Sequence, residues 1–147
     1  MGIKSKLKHT ISFLLHGEAK PIYASIHYLA PNEHLKGKKI VITGGGRGLG
    51  FAMAKKFVSE GAKVLIAGRN EQTLKQSASE INCLYLPLDV QDTTSFKEFI
   101  DKADQMLGGI NCLVNNAGIS LHEEGFLAVS PQQFDSQVGT NLRGCFF

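Results

Sequence analysis

A chain of 147 residues, 43% hydrophobic and 20% charged, is one domain's worth of globular protein and excludes the disordered and collagen-like classes. Its formal charge of +3 is small and scattered, with no long basic run and no basic stripe interleaved with aromatics, which argues against nucleic acid as a partner. Three cysteines, Cys83, Cys112 and Cys145, are odd in number and widely spaced, so they offer neither a disulfide framework nor a C-x-x-C metal pair and predict a reduced, cytoplasmic setting. No apolar run approaches the roughly 18 residues of a membrane span, and the run at 11–15 is short for a signal-peptide core of about 7 to 15 residues.

Residues 1–37 read as an N-terminal extension. Ile3, Leu7, Ile11, Leu14 and Leu15 recur at helical spacing among Lys4, Lys6 and Lys8, which predicts a short amphipathic helix. Lys4 falls inside its apolar sector, which favours a helix packed on the domain over one lying on a membrane surface. Residues 20–38 read as an irregular linker carrying two prolines, with one short alternating piece at 22–28. His9, His16, His27 and His34 have no ligand-like spacing, and no metal site is expected.

From Lys39 onward, strand and helix signals alternate, the pattern of a parallel sheet covered by helices. The first strand is KIVIT at 39–43, followed by a helix over 49–62 with Gly61 as its C-terminal cap. The second strand is KVLIAG at 63–68, and Asn70 caps a helix running to Ile81. The third strand is CLYLPL at 83–88, and a helix over 94–109 places Phe96, Phe99, Ile100, Ala103 and Leu107 on one face. The fourth strand is INCLVNNAG at 110–118. Near-continuous apolar runs in these segments suit strands buried on both faces. Ser130-Pro131-Gln132-Gln133 has capping-box spacing with proline at the first helical position, so a last helix begins there. The four strands are expected in the order 3-2-1-4, joined by right-handed crossovers, in an α/β, Rossmann-like, doubly wound parallel sheet that stops before a fifth strand.

Between the first strand and its helix lies a glycine cluster. Its spacing is Thr43-Gly44-x-x-x-Gly48-x-Gly50, and no choice of glycines fits G-x-G-x-x-G. Glycines at this place bring backbone N–H groups at a helix N-terminus close to a dinucleotide pyrophosphate. About 20 residues further on, a site for NAD ends in an acidic residue that holds the adenosine ribose. Here the strand ends in Ala67-Gly68-Arg69-Asn70, without a carboxylate. Arg69 and Arg47 supply two guanidinium groups suited to a 2′-phosphate, which predicts NADP in preference to NAD.

These motifs, with Asp89 after the third strand, NNAG at 115–118 and Asn141 in the last helix, resemble the short-chain dehydrogenase/reductase family over residues 38–147. The resemblance implies an incomplete NAD(P)-binding domain at 38–147. Within it, Gly44, Gly48 and Gly50 would form the phosphate loop, and Thr43, Gly46, Arg47, Leu49, Arg69 and Asn70 would complete the cofactor-binding residues around it. Asp89 and Val90 would lie against the adenine, while Asn115, Ala117 and Gly118 would brace the central sheet and the cofactor ribose. Asn141 would be the catalytic-site asparagine that holds a water in the proton relay. The resemblance also implies a small-molecule carbonyl or alcohol substrate and a homo-oligomer in the full-length form. Asn111 stands where the family commonly has Asp.

The family's chemistry needs Tyr-x-x-x-Lys and a serine. Tyr23 is followed four residues on by His27, Tyr28 by Asn32 and Tyr85 by Asp89, so none fits. Two readings follow: a chain carrying the cofactor-binding half of an NADP-dependent oxidoreductase, itself inactive, or a non-catalytic NADP-binding partner module. The end at GCFF, inside an element, favours truncation.

Overall fold

The computed structural model describes residues 7–8, 30–120 and 125–147. Leu7 and Lys8 are helical; the rest of the expected N-terminal helix, the alternating piece at 22–28, His9, His16 and His27 lie outside the described residues. Four parallel strands form one sheet in the order β3-β2-β1-β4, as the alternation of elements predicts. They are β1 Lys39–Thr43, β2 Lys63–Gly68, β3 Leu84–Pro87 and β4 Cys112–Val114.

β1 pairs with β2 from Lys39 beside Lys63 to Thr43 beside Ala67, and with β4 from Ile40 beside Cys112 to Ile42 beside Val114. β4 is shorter than its apolar run suggests, because side chains replace the ladder at both ends. Before it, Asn111 Oδ1 accepts from Lys39 N at 3.0 Å while Asn111 N donates to Lys39 O at 2.9 Å. After it, the chain bends toward the hydroxyl of Thr43. The Asn at position 111 thus has a structural use of its own at the entrance to the strand.

Alternation along the buried strands separates two cores. Ile40, Ile42, Val64 and Ile66 face α1 (Gly48–Ser59) and α2 (Glu71–Ile81), where Ala54, Leu74, Ala78 and Ile81 complete the layer. Val41, Leu65 and Ala67 face α3 (Phe96–Leu107), meeting Phe99, Ala103 and Leu107. α3 starts two residues later than its pattern suggests, because Asp92 Oδ1 accepts from Thr94 N and nucleates a 3₁₀ turn at Thr93–Ser95 first. Ile100, expected on the buried face, is exposed instead.

The helix ends follow from capping chemistry. α1 closes with Gly61 at φ +86°, where Gly61 N donates to Val58 O and Ala62 N to Phe57 O, the paired bonds of a Schellman motif. Asn70 caps α2 by accepting from Thr73 N at 2.8 Å. α4 (Pro131–Val138) opens on a capping box in which Ser130 Oγ accepts from Gln133 N and Gln133 Oε1 accepts from Ser130 N. Beyond it the helix widens into a π turn, Gly139–Arg143, and ends in one further turn, Gly144–Phe146.

Residues 30–38 dock at the amino end of the sheet. Leu35 packs against the first core, and Leu35 N donates to Glu60 O at 2.9 Å. All three cysteines are free thiols, and among the described residues no group of three or more His, Cys, Asp or Glu is placed to hold a metal. No described helix is long and apolar enough to cross a membrane.

Candidate cofactor site

Strand order reverses at β1: the chain moves to β2 and β3 on one side, then to β4 on the other. A crevice opens at the carboxyl ends of strands where such a reversal occurs, and ligands of open α/β sheets bind there. Thr43 ends β1 at this point with its side chain buried. Its Oγ1 accepts from Asn116 N at 3.1 Å and Ala117 N at 3.0 Å and donates to Val114 O at 3.3 Å. Asn116 Nδ2 answers by donating to Thr43 O at 2.9 Å and Gly44 O at 3.2 Å. Each strand end is therefore held by a side chain of the other.

The glycine turn is packed against this knot. Gly44 has φ +67°, and a Cβ on it would lie 3.0 Å from Ala117 Cα. Gly50, in the first turn of α1, faces the Gly44 carbonyl and the Asn116 amide so closely that no side chain fits. Ser77 Oγ of α2 donates to Gly46 O at 2.8 Å and fixes the middle of the turn. Arg47 stands at the N-cap of α1 with extended backbone and no side-chain capping bond, and no acidic residue sits in the first turn. The leading N–H groups of α1 thus meet no protein carboxylate or capping side chain, an environment that suits a phosphate group.

Two adjoining clefts flank this turn. One, of about 280 Å³, is lined by Gly46, Arg47, Gly68, Arg69, Asn70, Thr73 and Leu74. Arg47 and Arg69 are exposed, and among the described residues neither is paired with a carboxylate. The other, narrower at about 70 Å³, runs between Leu88, Asp89 and Val90 on one wall and Ala117, Gly118 and Ile119 on the other, with Thr43, Arg69 and Thr140 between them. Asp89 closes its own turn: Oδ1 accepts from Gln91 N at 3.0 Å, and Asp92 N donates to Asp89 O at 3.1 Å.

Of the residues singled out from sequence, Thr43, Arg69, Asp89, Val90, Ala117 and Gly118 come together in the narrow cleft, and Gly46, Arg47, Arg69 and Asn70 in the wider one. Gly44, Gly48, Leu49 and Gly50 form the turn and the start of α1, with the Leu49 side chain exposed. Asn115 lines an apolar groove with Phe96, Ile100 and Leu113, and also a small cavity with Thr43, Ala117 and Thr140 that shares its walls with the narrow cleft. Asn116, its neighbour, makes the bonds that brace the loop. Asn141 stands behind the narrow cleft, its amide occupied at both ends: Oδ1 accepts from Ile119 N and Nδ2 donates to Ile119 O, each at 2.8 Å. Sequence reasoning passed over Gln91 and Thr140, 49 residues apart, whose side chains meet with Gln91 Nε2 donating to Thr140 Oγ1 at 2.7 Å. No spacing rule connects them.

The comparisons with known proteins agree with this geometry. The short chain dehydrogenase profile matches residues 38–147. A 2,5-dichloro-2,5-cyclohexadiene-1,4-diol dehydrogenase of Sphingobium indicum is 40% identical over 117 residues, 76% of this chain and 46% of its own. An NADP-dependent (R)-specific alcohol dehydrogenase of Lentilactobacillus kefiri is 33% identical over 119 residues, 78% of this chain and 47% of its own. Among solved structures, a 3-ketoacyl-(acyl-carrier-protein) reductase from Brucella melitensis complexed with NADH superposes with a TM-score of 0.73 at 37% identity, covering 76% of this chain and 47% of that one. The chain spans about half the length of the curated relatives it matches. With the profile matched over most of its length, on a sheet of the corresponding order, the chain belongs to the short-chain dehydrogenase family of oxidoreductases.

Proposed function

We propose that this chain binds a nicotinamide dinucleotide across the carboxyl ends of β1, β2 and β4, NADP(H) in preference to NAD(H). The observation that carries the preference is the wider cleft: two arginines, Arg47 and Arg69, unpaired among the described residues, line it, and the end of β2 offers no carboxylate to a ribose. Uncapped N–H groups of α1 and the Gly44–Gly50 turn would hold the pyrophosphate. Asp89 and Val90 would lie against the adenine, and Thr43, Ala117 and Gly118 against the cofactor between the strands. Asn115, which faces the apolar groove, supports the central sheet in this reading. Asn141 acts as a positioning residue, since both ends of its amide hold Ile119.

The cofactor, when bound, supplies or accepts a hydride. In the protein as a whole, that chemistry would interconvert a small carbonyl compound and its alcohol, in a cytoplasmic homo-oligomer. The 147 residues contain no Tyr-x-x-x-Lys, so they contribute cofactor binding without the proton donor. The same absence supports a second reading, a non-catalytic NADP-binding module that acts with another chain. Assay of the purified chain with NADPH and a panel of ketones separates a catalyst from either reading: turnover above background would show catalytic groups other than those named here.

The cofactor assignment is tested by titrating NADPH and NADH and following the reduced nicotinamide fluorescence. NADPH is expected to bind more tightly, and Arg69→Asp to reverse that order, since a charge-assisted contact contributes on the order of 1.5 to 3 kcal/mol. Equal affinity for the two cofactors, unchanged by Arg69→Asp, would sink the assignment.

A further inference from the structure

The π turn at Gly139–Arg143 joins the two walls of the narrow cleft. Its residue Thr140 is buried and lines the cleft floor. Thr140 Oγ1 accepts from the side chain of Gln91, which springs from the Asp89–Asp92 turn. The next residue, Asn141, clasps Ile119 on the opposite wall. Neighbouring glycines let the turn come this close. A Cβ on Gly144 would collide with Val90, and one on Gly139 would touch the Gln91 side chain at 3.7 Å. Adjacent residues of one helical segment thus grip the two walls separately, one by a single side-chain bond and the other by a pair.

Resting on the cofactor site assigned above, we propose that Gln91 and Thr140 are positioning residues whose hydrogen bond sets the width of the narrow cleft and with it the affinity for the adenosine half of the cofactor. The wall that carries Asp89 and Val90 is anchored at its start, where Leu88 is buried and its N–H donates to Gly68 O at 2.9 Å, and Val90 packs against the second core. Beyond that anchor, Asp89 and Asp92 shape the turn locally, and the Gln91 side chain ties it to the last helical segment. Without the bond, the buried Thr140 hydroxyl loses its donor, and the turn keeps its anchor at Leu88 and the packing of Val90 but loses its side-chain tie to the last helical segment. Ordering the turn then becomes a cost of binding, which weakens the ligand without removing any group that touches it.

The test uses the full chain, with NADPH and the adenosine fragment 2′,5′-ADP as probes and thermal melting recorded for every variant. Thr140→Val is nearly isosteric and removes only the hydroxyl; Gln91→Leu removes the donor from the other side and stands in should the first fail to fold. Each is expected to weaken 2′,5′-ADP and NADPH by the same factor, about three- to tenfold, the scale of one hydrogen bond. Thr140→Ser restores the affinity, and the double variant loses no more than the larger single loss, as coupled partners do. Wild-type affinity in both single variants, additive losses, or a lowered melting temperature with unchanged affinity would overturn the positioning role while leaving the cofactor site intact. Wild-type chain that binds neither NADP(H) nor NAD(H) would overturn the site itself, and the positioning role with it.

Discussion

Asn141 treats Ile119 as a partner strand would: its amide accepts the Ile119 N–H and donates to the Ile119 carbonyl, both at 2.8 Å. A side chain here does what a β-ladder does elsewhere, and it does so just past the end of β4, where the chain has left the sheet.

Asn141→Ala removes both bonds and is expected to destabilise the chain by about 1 to 3 kcal/mol, two ordinary hydrogen bonds' worth. Asn141→Asp keeps the acceptor for Ile119 N but sets a carboxylate against the Ile119 carbonyl, so it should rescue little at neutral pH. Urea denaturation of the three chains measures this. Wild-type midpoints in both variants would mean that the clasp contributes nothing.

Asn116 offers a second handle, this time on the glycine turn. Its amide bonds Thr43 O and Gly44 O, and the Gly50 position lies against the same group. Asn116→Leu leaves those carbonyls without their donor and is expected to cost about 1 to 3 kcal/mol. Gly50→Ala forces the turn away from Asn116 and should abolish cofactor binding even where the fold survives. A Gly50→Ala chain that binds NADPH like the wild type would show that the turn tolerates displacement.

Glu60 gives stability an acid-sensitive component. Its side chain is little exposed at the C-terminus of α1, a Lys56 hydrogen bond, with a smaller contribution from His34, holds its carboxyl below the ordinary value of 4.5, and His34 Nε2 lies 3.9 Å from Oε2. A carboxyl depressed on folding stabilises the fold above its unfolded pKa, and that contribution is lost as pH falls through the folded value. Melting temperature should therefore drop on acidification below pH about 4.5, and Lys56→Met should make that drop shallower. Asp92, lowered by bonds from Thr94, and Glu98, lowered by Lys102, retain their share in both chains. Superimposable acid limbs for wild type and Lys56→Met would remove Glu60 from the account.

Much of this fold is legible in the sequence because the signals are local. Gly61 is needed where α1 reverses, Asn70 and Ser130 bond N–H groups three residues on, and the apolar runs of β1 and β2 are buried on both faces. What escapes is decided by tertiary contact. Asn115 and Asn116 are indistinguishable as adjacent amides until the bend after β4 turns one toward Thr43 and the other toward the groove. Ile100 sits on the apolar face of α3 by period, yet that part of the face looks onto an uncovered groove. The π turn leaves no mark in the sequence: Gly139 and Gly144 read as ordinary helix residues until Val90 and Gln91 are seen packed against them. The strand order, by contrast, is that of a doubly wound sheet, to which the alternation of strands and helices and the glycine turn after β1 together point.

The groove beside β4 supports a last prediction. Leu113, 48% exposed, stands on the outer edge of the sheet beside Phe96, Ile100, Phe146 and Phe147, the last two 79% and 72% exposed. Backbone groups on the outer side of β4 are unpaired among the described residues, and an apolar edge of this kind templates pairing with another chain. Ile40, Val41 and Ile42 lie between two strands and are fully buried, so their amides open only with the whole sheet. Hydrogen exchange at low concentration should show the amides of Leu113 and Val114 far less protected than those of β1. Raising the protein concentration should slow exchange at β4 selectively, as copies associate through the edge. Equal and strong protection of both strands in a monomeric chain would show that the edge is already covered, and residues 1–29 would then be the segment to delete next.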